Sequence, residues 1–122
     1  MAQRVLIADD EPNILISLEF LLANAGYEVH TATDGEETLQ AVKRIRPDLL
    51  LLDIMLPLKN GFEVCQTLRG EPDYAGMKIV MLTAKGRGTE VAKGLALGAD
   101  AYVTKPFGTR DLVETVRRLL AG

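Results

Sequence analysis

Leu49-Leu50-Leu51-Leu52-Asp53 is an unbroken apolar run that ends on a carboxylate. A run this short and this uniformly apolar fits a strand covered on both faces, the kind found inside parallel sheets. Ligands bind beyond the carboxyl ends of such strands. The pattern therefore places Asp53 at the rim of a sheet, half in the core and half in a crevice. The design recurs: Val5-Leu6-Ile7-Ala8 runs into Asp9-Asp10-Glu11, Ile79-Val80-Met81-Leu82 into Thr83, and Ala101-Tyr102-Val103-Thr104 into Lys105.

Helical patterns separate these runs. Pro12 suits a first helical turn; Ile14, Leu15, Leu18, Leu22 and Ala25 follow at helical spacing, and Gly26 stops the helix. Glu28 to Ala32 alternates as an edge strand does, with His30, the single histidine, on its polar phase as a surface residue. Asp34 and Glu37 read as a capping box opening a second helix with Leu39, Val42 and Ile45 inward. Pro57 to Gly61 is a turn-rich loop, and Phe62, Cys65 and Leu68 mark a short third helix. Gly70 to Met77 reads as loop. The glycine-punctuated Lys85-Gly86-Arg87-Gly88 precedes a fourth helix carrying Val91 and Leu95. Thr109 caps a last helix with Leu112, Val116 and Leu119 inward.

Five strands alternating with five helices predict an α/β fold with a parallel, doubly wound sheet. With right-handed crossovers, the order that sets strands 1 and 3 side by side is 2-1-3-4-5, the flavodoxin-like order. Its switch point lies between those two strands, where Asp9, Asp10 and Asp53 converge.

At 122 residues the chain reads as one domain, residues 1–122, long enough for a real core. A net charge of −3 argues against direct nucleic-acid or anionic-membrane binding. No apolar run approaches the roughly 20 residues of a membrane helix, and Met1 to Val5 has no signal-peptide organisation. The lone Cys65 rules out a disulfide framework and reads as a small buried hydrophobe. These features predict a cytoplasmic location.

The strand ends collect Asp9, Asp10, Asp53, Thr83 and Lys105. Any one acidic residue at a strand end is usually a helix cap or part of a solvated loop, but five polar residues at the ends of four strands of one sheet call for a shared cause. Three close carboxylates repel unless a cation joins them. Mg²⁺ suits an all-oxygen site that offers one or two carboxylates and room for water. A carboxylate beside Mg²⁺ and an ammonium can act as a nucleophile on phosphorus and form an aspartyl phosphate, with Lys105 and the Thr83 hydroxyl aligning the phosphoryl oxygens.

These residues closely resemble the receiver domain of response regulators in two-component signalling. The matching pieces are Asp9-Asp10-Glu11-Pro12, Asp53-Ile54-Met55-Leu56-Pro57 with Gly61, Leu82-Thr83-Ala84, Gly98-Ala99-Asp100, and Tyr102-Val103-Thr104-Lys105-Pro106-Phe107. They span essentially the whole chain. The resemblance implies that Asp53 accepts a phosphoryl group from a phosphohistidine on a sensor histidine kinase or a histidine phosphotransfer protein. It implies Mg²⁺, with Mn²⁺ as an alternative, held by Asp10, Asp53 and the Met55 carbonyl with help from Asp9. Lys105 pairs with the phosphoryl oxygens, Thr83 moves to bond them, and Tyr102 turns inward. The face made by helix 4, strand 5 and helix 5 then controls a downstream protein or a linked output domain, so the chain is a phosphoacceptor and not an enzyme. Met55 and Lys85 flank the pocket with no water-orienting group, which implies a long-lived phosphate. Lys93, Asp100, Arg117 and Arg118 supply part of the charge set for a weak, phosphorylation-dependent homodimer. The rival readings are a receiver-like interaction scaffold that takes no phosphate, an aspartate-nucleophile phosphatase, and a flavodoxin-like electron carrier. Against the phosphatase, Met55 stands where an acid/base carboxylate is needed. Against the carrier, Asp9-Asp10-Glu11 would repel a flavin phosphate.

Overall fold

A computed structural model describes residues 2–84 and 88–121. Lys85, Gly86 and Arg87 lie outside the described residues. Five strands, β1 (Arg4–Ala8), β2 (Glu28–Ala32), β3 (Leu49–Asp53), β4 (Lys78–Ala84) and β5 (Ala101–Lys105), alternate with five helices, α1 (Pro12–Asn24), α2 (Gly35–Ile45), α3 (Gly61–Arg69), α4 (Gly88–Ala96) and α5 (Thr109–Ala121). The sheet is parallel throughout, in the order β2-β1-β3-β4-β5. The flavodoxin-like doubly wound order expected from the sequence is the one observed.

The leucine run of β3 shows why both faces are apolar. Successive side chains point to opposite sides of a strand. Leu50 and Leu52 join a core layer with Val42 and Ile45 of α2 and Val64 and Leu68 of α3. Leu49 and Leu51 join the other layer, with Leu18 and Leu22 of α1 and Leu112 and Val116 of α5. All four leucines are fully buried, each worth about 1.5–3 kcal/mol against exposure. Asp53 is the last residue of β3.

The helix starts that frame this end are built locally. The Asp34 side chain accepts from the Glu37 amide at 2.7 Å. The reciprocal arm reaches one residue further back, with the Glu37 carboxylate accepting from the Thr33 amide at 2.9 Å. Asn60 and Glu63 form a complete capping box on α3, carried by an Asn-x-x-Glu signal that the sequence reading passed over. Two glycines let the β3–α3 loop pack tightly. A Cβ on Gly61 would come 2.5 Å from the Asp53 carbonyl oxygen, and one on Gly35 would collide with the Lys59 backbone. The Gly61 amide donates to Ile54 O at 2.8 Å, and the Gly35 amide to Pro57 O at 3.1 Å.

Two details depart from expectation. The Gly70–Met77 stretch holds a 3₁₀ turn over Pro72–Tyr74. Leu95 is 44 % exposed, because Gly94 is the α4 residue that meets β4, where an added Cβ would sit 3.2 Å from Met81 Cγ. In α1 the stripe read from the sequence is the one that packs on the sheet: Leu18 and Leu22 are fully buried with Ile14 and Leu15 against them, while Ile16 and Phe20 face solvent.

Candidate functional site

The carboxyl ends of β1, β3, β4 and β5 open into a cavity of about 410 Å³, lined in part by Asp10, Glu11, Asp53, Met55, Thr83, Glu90 and Lys105. Asp9 lies fully buried beneath it. One Asp9 oxygen accepts from the Glu11 amide at 2.9 Å and the other from Lys105 Nζ at 2.8 Å. Asp53 is 5 % exposed. Its Oδ1 lies 3.5 Å from Lys105 Nζ and accepts from the Met55 amide at 3.4 Å. Glu11 approaches the same ammonium at 3.9 Å. Asp10 is exposed at the mouth. One carboxylate oxygen from each of Asp9, Asp10 and Asp53 lies within 4.8 Å of the others. The convergence expected at the switch point is present.

The electrostatics follow from that crowding. Burial pushes the Asp53 carboxyl above its ordinary range, and the neighbouring Asp9 charge pushes it further, with Lys105 only partly opposing. Burial pulls the Lys105 ammonium down, but its hydrogen bond to Asp9 and the charges of Asp53, Asp9 and Glu11 together hold it above its usual value. Lys105 is thus firmly charged while Asp53 is a carboxylate held at a cost. An added cation in contact with Asp53 relieves that cost, and oxygen donors clustered this closely fit a hard divalent ion.

Thr83, 3 % exposed at the carboxyl end of β4, donates its hydroxyl to Glu90 Oε1 at 3.2 Å, with Ala84 O at 3.5 Å. Glu90 is the pocket residue that sequence reasoning missed. It stands in the first turn of α4, where an acidic residue is ordinary, and only the fold brings it to Thr83. Tyr102 is apart from the pocket: it is 48 % exposed and lines a separate cavity with Phe107 and Asp111. Three of the four charges read as a dimer set have partners within the chain. Asp100 accepts from Arg69 at 2.7 Å and from the Ile79 amide at 2.8 Å. Lys93 lies 4.6 Å over the Phe62 ring, and Arg117 is 3.8 Å from Glu114.

A family model for the response regulator receiver domain matches residues 5–117. The chain belongs to the response regulator receiver family. The receiver is 46 % identical over 120 residues to the DNA-binding response regulator MtrA of Mycolicibacterium smegmatis, covering 98 % of this chain and 51 % of that protein. It therefore spans about half the length of the curated relative it matches. The chemotaxis response regulator CheY4 of Vibrio cholerae superposes with a TM-score of 0.92 at 34 % identity, covering 98 % of this receiver and 99 % of that chain. The receiver domain of the sensor histidine kinase PA1611 of Pseudomonas aeruginosa PAO1, with magnesium coordinated in its active-site cleft, superposes at 0.91 with 26 % identity over the full length of both chains. No described helix of this receiver is long and apolar enough to cross a membrane.

Proposed function

We propose that Asp53 is the phosphoacceptor and that Lys105, Thr83 and the acidic cluster make it reactive. The observation that carries this reading is the shared ammonium: Lys105 Nζ sits 2.8 Å from Asp9 and 3.5 Å from Asp53 inside one pocket. In the transfer, the P–N bond of a donor phosphohistidine breaks as a bond forms between an Asp53 oxygen and phosphorus. The electron pair leaves on the imidazole nitrogen. Lys105 supplies positive charge to the phosphoryl oxygens, and the Thr83 hydroxyl donates to one of them once the group is in place.

Asp10, Asp53 and the Met55 backbone carbonyl would hold Mg²⁺, with Asp9 assisting; Mn²⁺ is the alternative ion. When bound, the ion neutralises charge on the phosphoryl oxygens and on the carboxylate cluster. Asp9 has a second duty, since its hydrogen bond from Lys105 aims the ammonium across the pocket. A sensor kinase or a histidine phosphotransfer protein is the donor. We infer that the face formed by α4, β5 and α5 is read by a separate protein or by an output domain on the same chain, with Tyr102 turning inward as Thr83 moves. The MtrA relative binds DNA, but the net charge of −3 here favours output through protein contact rather than direct DNA binding.

Acetyl phosphate with Mg²⁺ should add one phosphate mass to the wild-type chain, and the adduct should be labile to base. Asp53→Asn should reduce uptake by at least about a hundredfold, read by intact-mass spectrometry. Uptake at the wild-type rate in Asp53→Asn would remove the assignment.

A further inference from the structure

We propose that Glu90 is a positioning residue for Thr83. Its carboxylate holds the Thr83 hydroxyl away from the phosphoryl site and so sets how readily the unphosphorylated domain adopts its phosphorylated arrangement. This rests on the reading of Thr83 as the hydroxyl that bonds the phosphoryl group.

Thr83 has one hydroxyl proton and is almost fully buried, so water does not compete for it. Of its two acceptors, Glu90 Oε1 at 3.2 Å is nearer than Ala84 O at 3.5 Å and is the charged one. The helix dipole explains why an acid suits the first turn of α4; it does not explain why the Thr83 hydroxyl bonds to that acid. A phosphoryl group on Asp53 is a second anionic acceptor in a cavity that Thr83 and Glu90 both line. The hydroxyl donates well to only one of the two, and charged acceptors form the stronger bonds, so the two compete directly. Phosphorylation also brings roughly 1.5 to 2 negative charges into that cavity, which repel the Glu90 carboxylate. The event that supplies the new acceptor therefore weakens the old one. Because Glu90 is part of α4, its release passes a change at Asp53 to that helix without any direct contact between the two.

The test is a double-mutant cycle read by the apparent affinity for beryllofluoride with Mg²⁺, followed through the backbone amide resonances of β4, and by the acetyl phosphate rate. Glu90→Ala should bind beryllofluoride at least about tenfold more tightly than wild type, the effect expected for losing one hydrogen bond to a charged group. Glu90→Gln keeps an acceptor and the side-chain shape and should fall between the two; it carries the same test should Glu90→Ala lose stability. In a Thr83→Val background, Glu90→Ala should change the affinity by less than about twofold. No tightening in either Glu90 variant would overturn the proposal. So would full tightening in the Thr83→Val background, because Glu90 would then act only through its charge. A wild-type chain that neither binds beryllofluoride nor takes up phosphate would remove the phosphoacceptor reading itself, and this proposal with it.

Discussion

At the amino-terminal ends of the strands Arg4 meets Glu28 and Arg69 meets Asp100. The Arg4 amide donates to Asp48 at 2.7 Å, its guanidinium to Ile45 O at 2.7 Å, and its Nε lies 3.2 Å from Glu28. The Arg69 guanidinium spans Gly98 O at 2.8 Å, Tyr74 O at 3.0 Å and Asp100 at 2.7 Å, while Asp100 also takes the first amide after the start of β4. At the carboxyl ends of the same strands, Asp9, Asp53 and Glu11 share the ammonium of Lys105. Among the described residues no buried side-chain nitrogen or oxygen lacks a hydrogen-bond partner. What separates the two ends is therefore charge rather than hydrogen bonding. Among the described residues one end pairs its charges on folding, and at the other the carboxylates outnumber the ammonium they share.

If that contrast is right, damage to the two ends should have opposite signs. The largest stability loss belongs to the amino-terminal end. Arg69→Ala removes the guanidinium donor from the Gly98 and Tyr74 carbonyls and the ion partner from Asp100, and should cost about 2–3 kcal/mol by urea denaturation, with phosphate uptake per folded molecule unchanged. A mutant that lost uptake but kept its stability would reverse the comparison. Asp10→Asn at the other end should raise the melting temperature in metal-free buffer by about 3 °C and abolish most of the rise that Mg²⁺ produces in the wild type. A wild-type melting temperature indifferent to Mg²⁺ would count against the site.

The smallest effect sharpens the comparison by pH. Glu28 sits below its ordinary 4.5, chiefly because His30 hydrogen-bonds it. Its contribution is present above that value and fades as pH falls. Asp53 sits above its ordinary 3.8, chiefly because it is buried. The folded chain holds that proton more tightly than the unfolded one, so in metal-free buffer the Asp53 penalty is absent below pH 3.8 and grows as pH rises. Glu28→Gln should flatten the acid-side decline in stability, whereas Asp53→Asn should steepen it. Slopes changing in the same direction in both variants would break the distinction.

How much of this was readable from the chain depended on distance along it. Strand ends were legible because a short apolar run declares both its burial and its last residue, which is why Asp9, Asp53, Thr83 and Lys105 were placed correctly. Caps were legible in part: Asp34 was found, and Asn60 with Glu63 carried an equally local signal that went unread. The clamp of Arg69 on Asp100 was not legible, because 31 residues separate the partners and nothing near either marks the other. Asp100 accordingly read as part of a charge set for a homodimer. Glu90 was hidden for a different reason, since its place in a helix first turn is already explained without Thr83. Leu95 misled because helical spacing reports which residues are apolar, and not that a glycine brings α4 too close to β4 for a leucine to enter.

Gly35 belongs to a helix that contributes no side chain to the phosphoryl pocket, yet it abuts the backbone of Lys59, just as Gly61 abuts the Asp53 carbonyl. The loop carrying Met55 is thus wedged at two points by atoms that are not there. In a library of random substitutions, a single added methyl at position 35 or 61 would lever that loop outward and silence the domain while leaving every acidic residue intact. The same methyl at Gly76 meets nothing within 4 Å and would pass unnoticed. Inheritance of function in this chain therefore runs through two empty spaces as much as through its carboxylates.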